Sequence, residues 1–310
     1  MKTIGVVGNT YVGGSTALLG NYNIIVQASD ANDELAYHVS TSKETALLIY
    51  DEDPELCSHD YITLRDLSDN CDFIFVCVPT LMSADGSCST YGVKKVVFEL
   101  LDNGYSPERI VVRSTVSVGT CKDLGVMYMP EFSTEKRWKE DFLNQSDWIL
   151  GTNDRNDSIR DELHSIFERA FDNNILLKRP KIHFTTTEEA ELTKYVRNCF
   201  LATKISFFNE IHSFCEFHKI DYARVRDMTV LDDRIEDSYT MVPGPDGKKG
   251  FGGSSLPKDS IAFQNQLSKV SNLLGLGCGL IKSSILRNNK IDRPEKDWQK
   301  DSSESFFNKK

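Results

Sequence analysis

The chain has 310 residues, 36 Lys and Arg against 46 Asp and Glu, a formal net charge of −10 and 40% hydrophobic residues. That length points to two domains, and the acidic balance works against a nucleic-acid or anionic-membrane partner while still allowing a small anion held by local backbone dipoles. The N-terminus has no basic stretch followed by a hydrophobic run, no apolar run approaches the ~20 residues of a membrane span, and the eight cysteines form no CxxC pair, so a reduced, cytoplasmic protein with no metal site is expected.

Residues 3–8 (TIGVVG) read as a buried strand entering a turn. A second apolar strand ends at residues 47–50, just before Asp51. Residues 72–78 (DFIFVCV) form a third, stopped by Pro79. Residues 91–101 have helical spacing, 109–112 form a strand ending at Ser114 and Thr115, 125–129 and 148–151 are short strands, and 157–171 an amphipathic helix. Strands that alternate with helices and are apolar on both faces predict an α/β fold, a Rossmann-like doubly wound parallel sheet over residues 1–185. Residues 21–46 fit least well. They form either an inserted strand and helix, or residues 23–30 are themselves the second strand.

Residues 187–219 then read as one long helix, opened by Thr186 or Thr187 with glutamates behind it. Its apolar positions, Leu192, Val196, Phe200, Ile205, Phe208, Ile211 and Phe214, are too many for one stripe and predict burial on several sides, as at a seam between two copies. A Gly/Pro loop covers 242–253, helices return over 257–286, and the chain turns polar from 287. The second domain is therefore an α-helical one over 186–290 with a long central helix, followed by a polar tail at 291–310.

Gly8-Asn9-Thr10-Tyr11-Val12-Gly13 falls where the first strand should turn into a helix. A dinucleotide site needs glycines there for the tight turn, for close approach of the pyrophosphate and for helix–strand packing. The middle position is Thr10, whose Cβ crowds the pyrophosphate. On the motif alone, a cofactor loop and a plain strand–helix turn are equal readings. An acidic residue after the second strand should receive the ribose hydroxyls. Asp30 lies 22 residues after Gly8 and Asp51 lies 43 after it; the stronger strand before Asp51 favours it.

The most informative block is Gly250-Phe251-Gly252-Gly253-Ser254-Ser255-Leu256-Pro257-Lys258-Asp259. It resembles the signature of the UDP-glucose/GDP-mannose dehydrogenase family, in which the position of Ser255 is a cysteine. Further blocks agree in order: Val78-Pro79-Thr80, Ser114-Thr115-Val116, Pro130-Glu131-Phe132 with Glu135, Glu191-Leu192-Thr193-Lys194 with Asn198, Phe208-Asn209-Glu210, and Asp233-Arg234-Ile235. The resemblance spans roughly residues 3–290. It implies oxidation of the C6 alcohol of a nucleotide sugar to a carboxylate with two NAD, a thioester on the cysteine between the two steps, a homodimer through the central helix, and no metal.

Carried onto this sequence, the resemblance places Gly8, Thr10, Tyr11, Val12, Gly13, Asp51, Val78, Pro79, Thr80, Ser114 and Thr115 at the cofactor. It places Glu131, Phe132, Arg234, Tyr239, Phe251, Gly252 and Gly253 at the substrate, with Lys194 and Asn198. Lys194 and Asn198, four apart on a helix, share a face, where an ammonium can stabilise an alkoxide; a solvated helix face is the plainer reading of such a pair. Asp259 is the candidate base, against a helix cap as the plainer role. Glu135 and Thr115 can activate and orient a water, and Arg234 can grip anionic oxygens with its planar fork.

Two departures stand out. Ser255 stays protonated near neutral pH where a cysteine supplies thiolate. It is a replacement that traps a bound state, the mark of an enzyme that stops at the aldehyde, or the mark of a dinucleotide or nucleotide-sugar binding protein without turnover. The chain also ends early, without the family's C-terminal nucleotide-binding domain, a short form that resembles viral or phage versions and so implies a host cytoplasm. Leu81 replaces a usual second proline, and Glu236 a usual glycine, where its charge beside Arg234 would oppose an anionic substrate.

Overall fold

The computed structural model describes residues 2–20, 26–28, 35–37, 45–51, 63–152, 157–275 and 279–299. The chain divides into two compact units, Met1–Thr80 with Ser89–Lys194, and Leu81–Cys88 with Tyr195–Lys310. The division falls inside the long helix rather than at residue 185, and the short excursion at 81–88 belongs with the helical unit.

In the first unit, β1 (Lys2–Val7), β4 (Thr45–Tyr50), β5 (Phe73–Val76), β6 (Ile110–Val112), β7 (Met127–Tyr128), β8 (Asp147–Gly151) and β9 (Lys181–Thr185) form one sheet in the order β4-β1-β5-β6-β7-β8-β9. Every pairing is parallel except β7 with β8, which run antiparallel through Tyr128 and Gly151. The expected parallel sheet is thus a mostly parallel one. Alternate residues of β5 feed two cores. Phe73 and Phe75 join Ile4, Val6, Trp148 and α6 (Asp157–Asp172) on one face; Ile74 and Val76 join Val112, Tyr128, α2 (Leu64–Asn70) and α3 (Tyr91–Asp102) on the other. Burial on both faces is why these strands read as continuous apolar runs.

The second sheet position beside β1 belongs to β4, in the register Val7 to Tyr50. The alternative assignment of residues 23–30 to that position is corrected: β2 (Val26–Ala28) instead pairs antiparallel with β3 (Leu35–Tyr37), outside the main sheet. Asp30 lies outside the described residues.

The second unit is helical. It holds most of α7 (Thr187–His218), with α8 (Tyr222–Thr229), α9 (Leu256–Leu274) and α10 (Gly279–Arg287). Thr186 opens α7 with a capping box: its hydroxyl accepts the Glu189 N–H at 3.3 Å and the Glu189 carboxylate accepts the Thr186 N–H at 3.0 Å. The expected tail begins later than residue 291, because Asp292, Arg293 and Trp298 are buried. Arg287 donates to Asp292, and Arg293 donates to Asp246 and Asp297, pairings that a reading by hydropathy misses. Among the described residues no helix is long and apolar enough to cross a membrane, and none form a metal-binding cluster.

The tightest constraint lies where β1 meets α1 (Tyr11–Ala17). A Cβ on Gly13 would sit 1.8 Å from the Gly8 carbonyl oxygen, whereas one on Gly92 in α3 would meet nothing nearer than 3.8 Å. Gly13→Ala should therefore lose ~3 kcal/mol through overpacking. Gly92→Ala should hold or gain ~0.5 kcal/mol from helix propensity. Urea unfolding of the two variants checks the contrast.

Candidate active site

In the first unit the chain leaves β1 through Gly8, at φ +90°, where a Cβ would press on the Cys77 carbonyl group at 3.0 Å. Only glycine takes that conformation at little cost. The Gly8 N–H donates to Tyr50 O at 2.9 Å, and the Asn9 N–H donates to Asp51 Oδ2 at 2.7 Å. Asp51 thus stands at the end of β4 against the glycine loop, the place from which a carboxylate reaches a ribose. Thr10 is extended, at φ −80° and ψ −174°, and its side chain does not cap α1. The backbone at residue 10 lies in a region open to any residue, so threonine there is unstrained in the chain itself. Tyr11 and Val12 pack half-buried on the core beneath.

The Ser114 hydroxyl donates to Val78 O at 2.7 Å. This joins the loop after β6, with Thr115, to the loop after β5, with Val78, Pro79 and Thr80. The expected cofactor residues from these two strand ends therefore stand together.

Behind them lies a buried charged network. Arg113 donates to Thr16 Oγ1 at 2.9 Å and forms an ion pair with Glu131. The Glu131 carboxylate also accepts the N–H groups of Phe132 at 2.8 Å and Ser133 at 2.6 Å. Burial alone would raise its pKa, but the Arg113 charge, the Ser133 hydrogen bonds and Lys194 hold it below the ordinary carboxylate value. The Glu131 main-chain oxygen accepts the Lys194 ammonium, which lies 5.7 Å from the centre of the Phe132 ring. Because the Glu131 carboxylate is enclosed, any ligand contact from this position is through the main chain. Glu191 fixes the same helix from below, accepting N–H groups of Gly119 at 2.5 Å and Cys121 at 2.8 Å. The side chain of Glu135 lies outside the described ones.

In the second unit Asp259 is 1% exposed. Asn198 donates to its Oδ2 at 2.6 Å and Lys258 to its Oδ1 at 2.7 Å. Asp259 sits one turn inside α9, so it is no helix cap. Burial would lower the Lys258 pKa, but the Asp259 charge beside it raises it above the usual lysine value. Ser255 precedes α9, half-buried, and its hydroxyl makes no cap.

The loop before Ser255 is held from outside. Asn288 accepts the Phe251 N–H at 2.7 Å and donates to Phe251 O at 3.0 Å, and Asn209 accepts the Gly250 N–H at 3.0 Å. A Cβ on Gly252 would collide with the Arg293 guanidinium at 2.4 Å. Phe251 is 2% exposed, so its ring faces the protein. Gly253, at φ +76°, is exposed. Asn288 and Arg293 were missed in the sequence because both precede or enter a stretch that reads as polar tail.

Arg234 is exposed and donates to Asp232 through Nε at 2.9 Å. The carboxylate against it is that of Asp232 rather than Glu236. Glu236 and Tyr239 take left-handed conformations, φ +58° and +63°, which accounts for the glycine usual at residue 236.

No described thiol stands in for the missing cysteine. Burial pushes Cys71 and Cys199 up to about 12 and Cys77 up to about 11, far from thiolate at neutral pH. The described histidines have partners of their own: His164 with Glu168, His183 with Asp147, His212 with Glu216 and Tyr222, and His218 with Phe214 and Phe217.

Residues 2–171 match the NAD-binding domain of the UDP-glucose/GDP-mannose dehydrogenase family, and residues 188–289 match its central domain. The chain belongs to that family. It is 35% identical over 237 residues to UDP-glucose 6-dehydrogenase TuaD of Bacillus subtilis, covering 71% of this chain and 46% of the relative. It is 31% identical over 236 residues to UDP-glucose 6-dehydrogenase of Rickettsia prowazekii, covering 72% and 50%. It thus spans about half the length of these curated relatives. In fold it is similar to a UDP-glucose dehydrogenase from Pyrobaculum islandicum, with TM-score 0.72, 24% identity, and coverage of 94% of this chain and 68% of that one. NAD is the cofactor of such a domain. The residues present fit it: the Gly8–Gly13 approach leaves no room for a side chain, and Asp51 is tied to the same loop.

The buried ion pair sets a pH dependence. The folded pKa of Glu131 lies below its unfolded value, so its contribution is present above ~pH 4.5 and is lost as pH falls through the folded value. Glu131→Gln strands Arg113 and should cost about 3–5 kcal/mol at pH 7. That deficit against the wild type should shrink at pH 3, as read from urea melts at both pH values.

Proposed function

We propose that this chain oxidises the C6 alcohol of a nucleotide-linked hexose of the UDP-glucose kind. The carrying observation is the buried Asn198–Asp259–Lys258 cluster set one turn beyond Ser255. Solvent has been removed from a carboxylate whose two oxygens are each aimed by a donor, as proton handling requires. In this reading NAD, held at the Gly8–Gly13 loop and Asp51, would supply the hydride acceptor. Lys194 balances the developing alkoxide charge, Asp259 takes the hydroxyl proton, and Asn198 orients the carboxylate. Thr115 and Glu135 position and activate water for the later step. Arg234, Tyr239, Phe132, Gly252 and Gly253 receive the nucleotide sugar, with Glu131 and Phe251 contributing main chain.

In this reading the Ser255 hydroxyl stays protonated near neutral pH and captures the aldehyde poorly, so the reaction stops largely at the aldehyde. Purified chain with UDP-glucose and NAD should give about one NADH per substrate at 340 nm, and Ser255→Cys should move the yield towards two. Calorimetric binding of NAD or UDP-glucose with no NADH from either protein would replace the enzyme by a binding protein.

The same reading includes a homodimer through α7. Val196, Phe200, Phe207 and Phe214 recur at helical spacing, and each is more than half exposed, an apolar stripe that favours cover by a second copy. Phe200→Glu with Phe207→Glu should convert a dimer to a monomer in sedimentation; an unchanged dimer would place the seam elsewhere.

A further inference from the structure

Arg113 carries a charge that the reaction as described does not use. It is 1% exposed and stands immediately before Ser114 and Thr115 at the end of β6. Its guanidinium reaches two ways, to Thr16 Oγ1 on α1 at 2.9 Å and to the Glu131 carboxylate, and it stacks 5.6 Å from the centre of the Phe142 ring. The carboxylate it holds turns the backbone of 131–133 inward, by accepting the Phe132 and Ser133 N–H groups. The main-chain oxygen of the same Glu131 then accepts the Lys194 ammonium.

A buried ion pair is seldom the cheapest way to stabilise a core, since apolar side chains of similar volume do as well or better. Its advantage is directional. A guanidinium fork fixes two acceptors in one plane, which a lysine cannot do. Three parts of the cofactor-side unit meet on this fork: the helix after the glycine loop, the strand end that bears Ser114 and Thr115, and the turn that receives Lys194.

Resting on the dehydrogenase reading above, we propose that Arg113 is a positioning residue, which sets the Lys194 ammonium by orienting Glu131 and ties it to the dinucleotide-binding helix through Thr16. Arg113 touches neither substrate nor cofactor. Its effect passes through the carbonyl of residue 131, so it acts on turnover more than on substrate affinity.

The test compares Arg113→Met, Arg113→Lys and Thr16→Val in the full chain, by NADH formation with UDP-glucose and by amide hydrogen exchange. Arg113→Met should lower kcat about 100-fold with KM for the nucleotide sugar within about threefold, and Arg113→Lys should recover to within about tenfold of wild type. Exchange at Phe132 and Ser133 should rise about tenfold in Arg113→Met while α6 is unchanged. Thr16→Val cuts one arm and should raise KM for NAD with kcat nearly intact. Unchanged exchange at Phe132 and Ser133, a kcat within threefold of wild type, or an equal rise in both KM values would overturn the proposal. If Arg113→Met does not fold, Arg113→Lys decides: kcat must lie between wild type and one-tenth of it with exchange at Phe132 and Ser133 faster than in wild type, and wild-type values in both overturn it. A wild-type chain that makes no NADH removes the dehydrogenase reading and the catalytic consequence with it. The exchange result then still shows whether Arg113 holds the turn.

Discussion

The first unit depends on how closely α1 can approach the end of β1. With the Gly8 oxygen 1.8 Å from where a Cβ on residue 13 would stand, the helix can start only if that side chain is missing. Once it starts there, the loop is pulled over the ends of β1 and β4, and Asp51 is brought against Asn9. The core follows from the same placement, because the strands are then covered on both faces and can be uniformly apolar.

Each unit then solves one electrostatic problem in the same way. A carboxylate taken out of water is tolerated when donors fill its oxygens. Glu131 is met by Arg113 and two N–H groups, Glu191 by two N–H groups at the start of α4 (Thr120–Leu124), and Asp259 by Asn198 and Lys258. The three differ in purpose. The oxygens of Glu131 and Glu191 face backbone or a buried guanidinium, which makes them anchors. Those of Asp259 face two side chains, which can reorganise when a proton is taken.

Ser255 separates two kinds of chemistry that the family joins. Hydride removal from an alcohol needs a base, a cation and an acceptor, and none of these is the residue at 255. Capture of the aldehyde needs a nucleophile that is ionised or has a base beside it. Among the described residues every thiol is buried and each histidine has a partner of its own, so the proposed stop after the first of these steps rests on Ser255.

The sequence by itself determined the strand–helix alternation, the long helix with its capping glutamate, the family, and the positions of Lys194, Asn198, Ser255 and Asp259, because periodicity and local motifs are properties of short stretches of chain. It favoured the run ending at residues 47–50 over 23–30 for the sheet without settling the matter, since both are short apolar runs and only pairing with β1 decides between them. It gave Arg113, Asn288 and Arg293 no role and read residues beyond 290 as tail. Their partners lie 18 to 97 residues away for Arg113 and 37 away for Asn288. A polar residue announces nothing about burial until its distant acceptor is in place, so those assignments were made by tertiary structure alone.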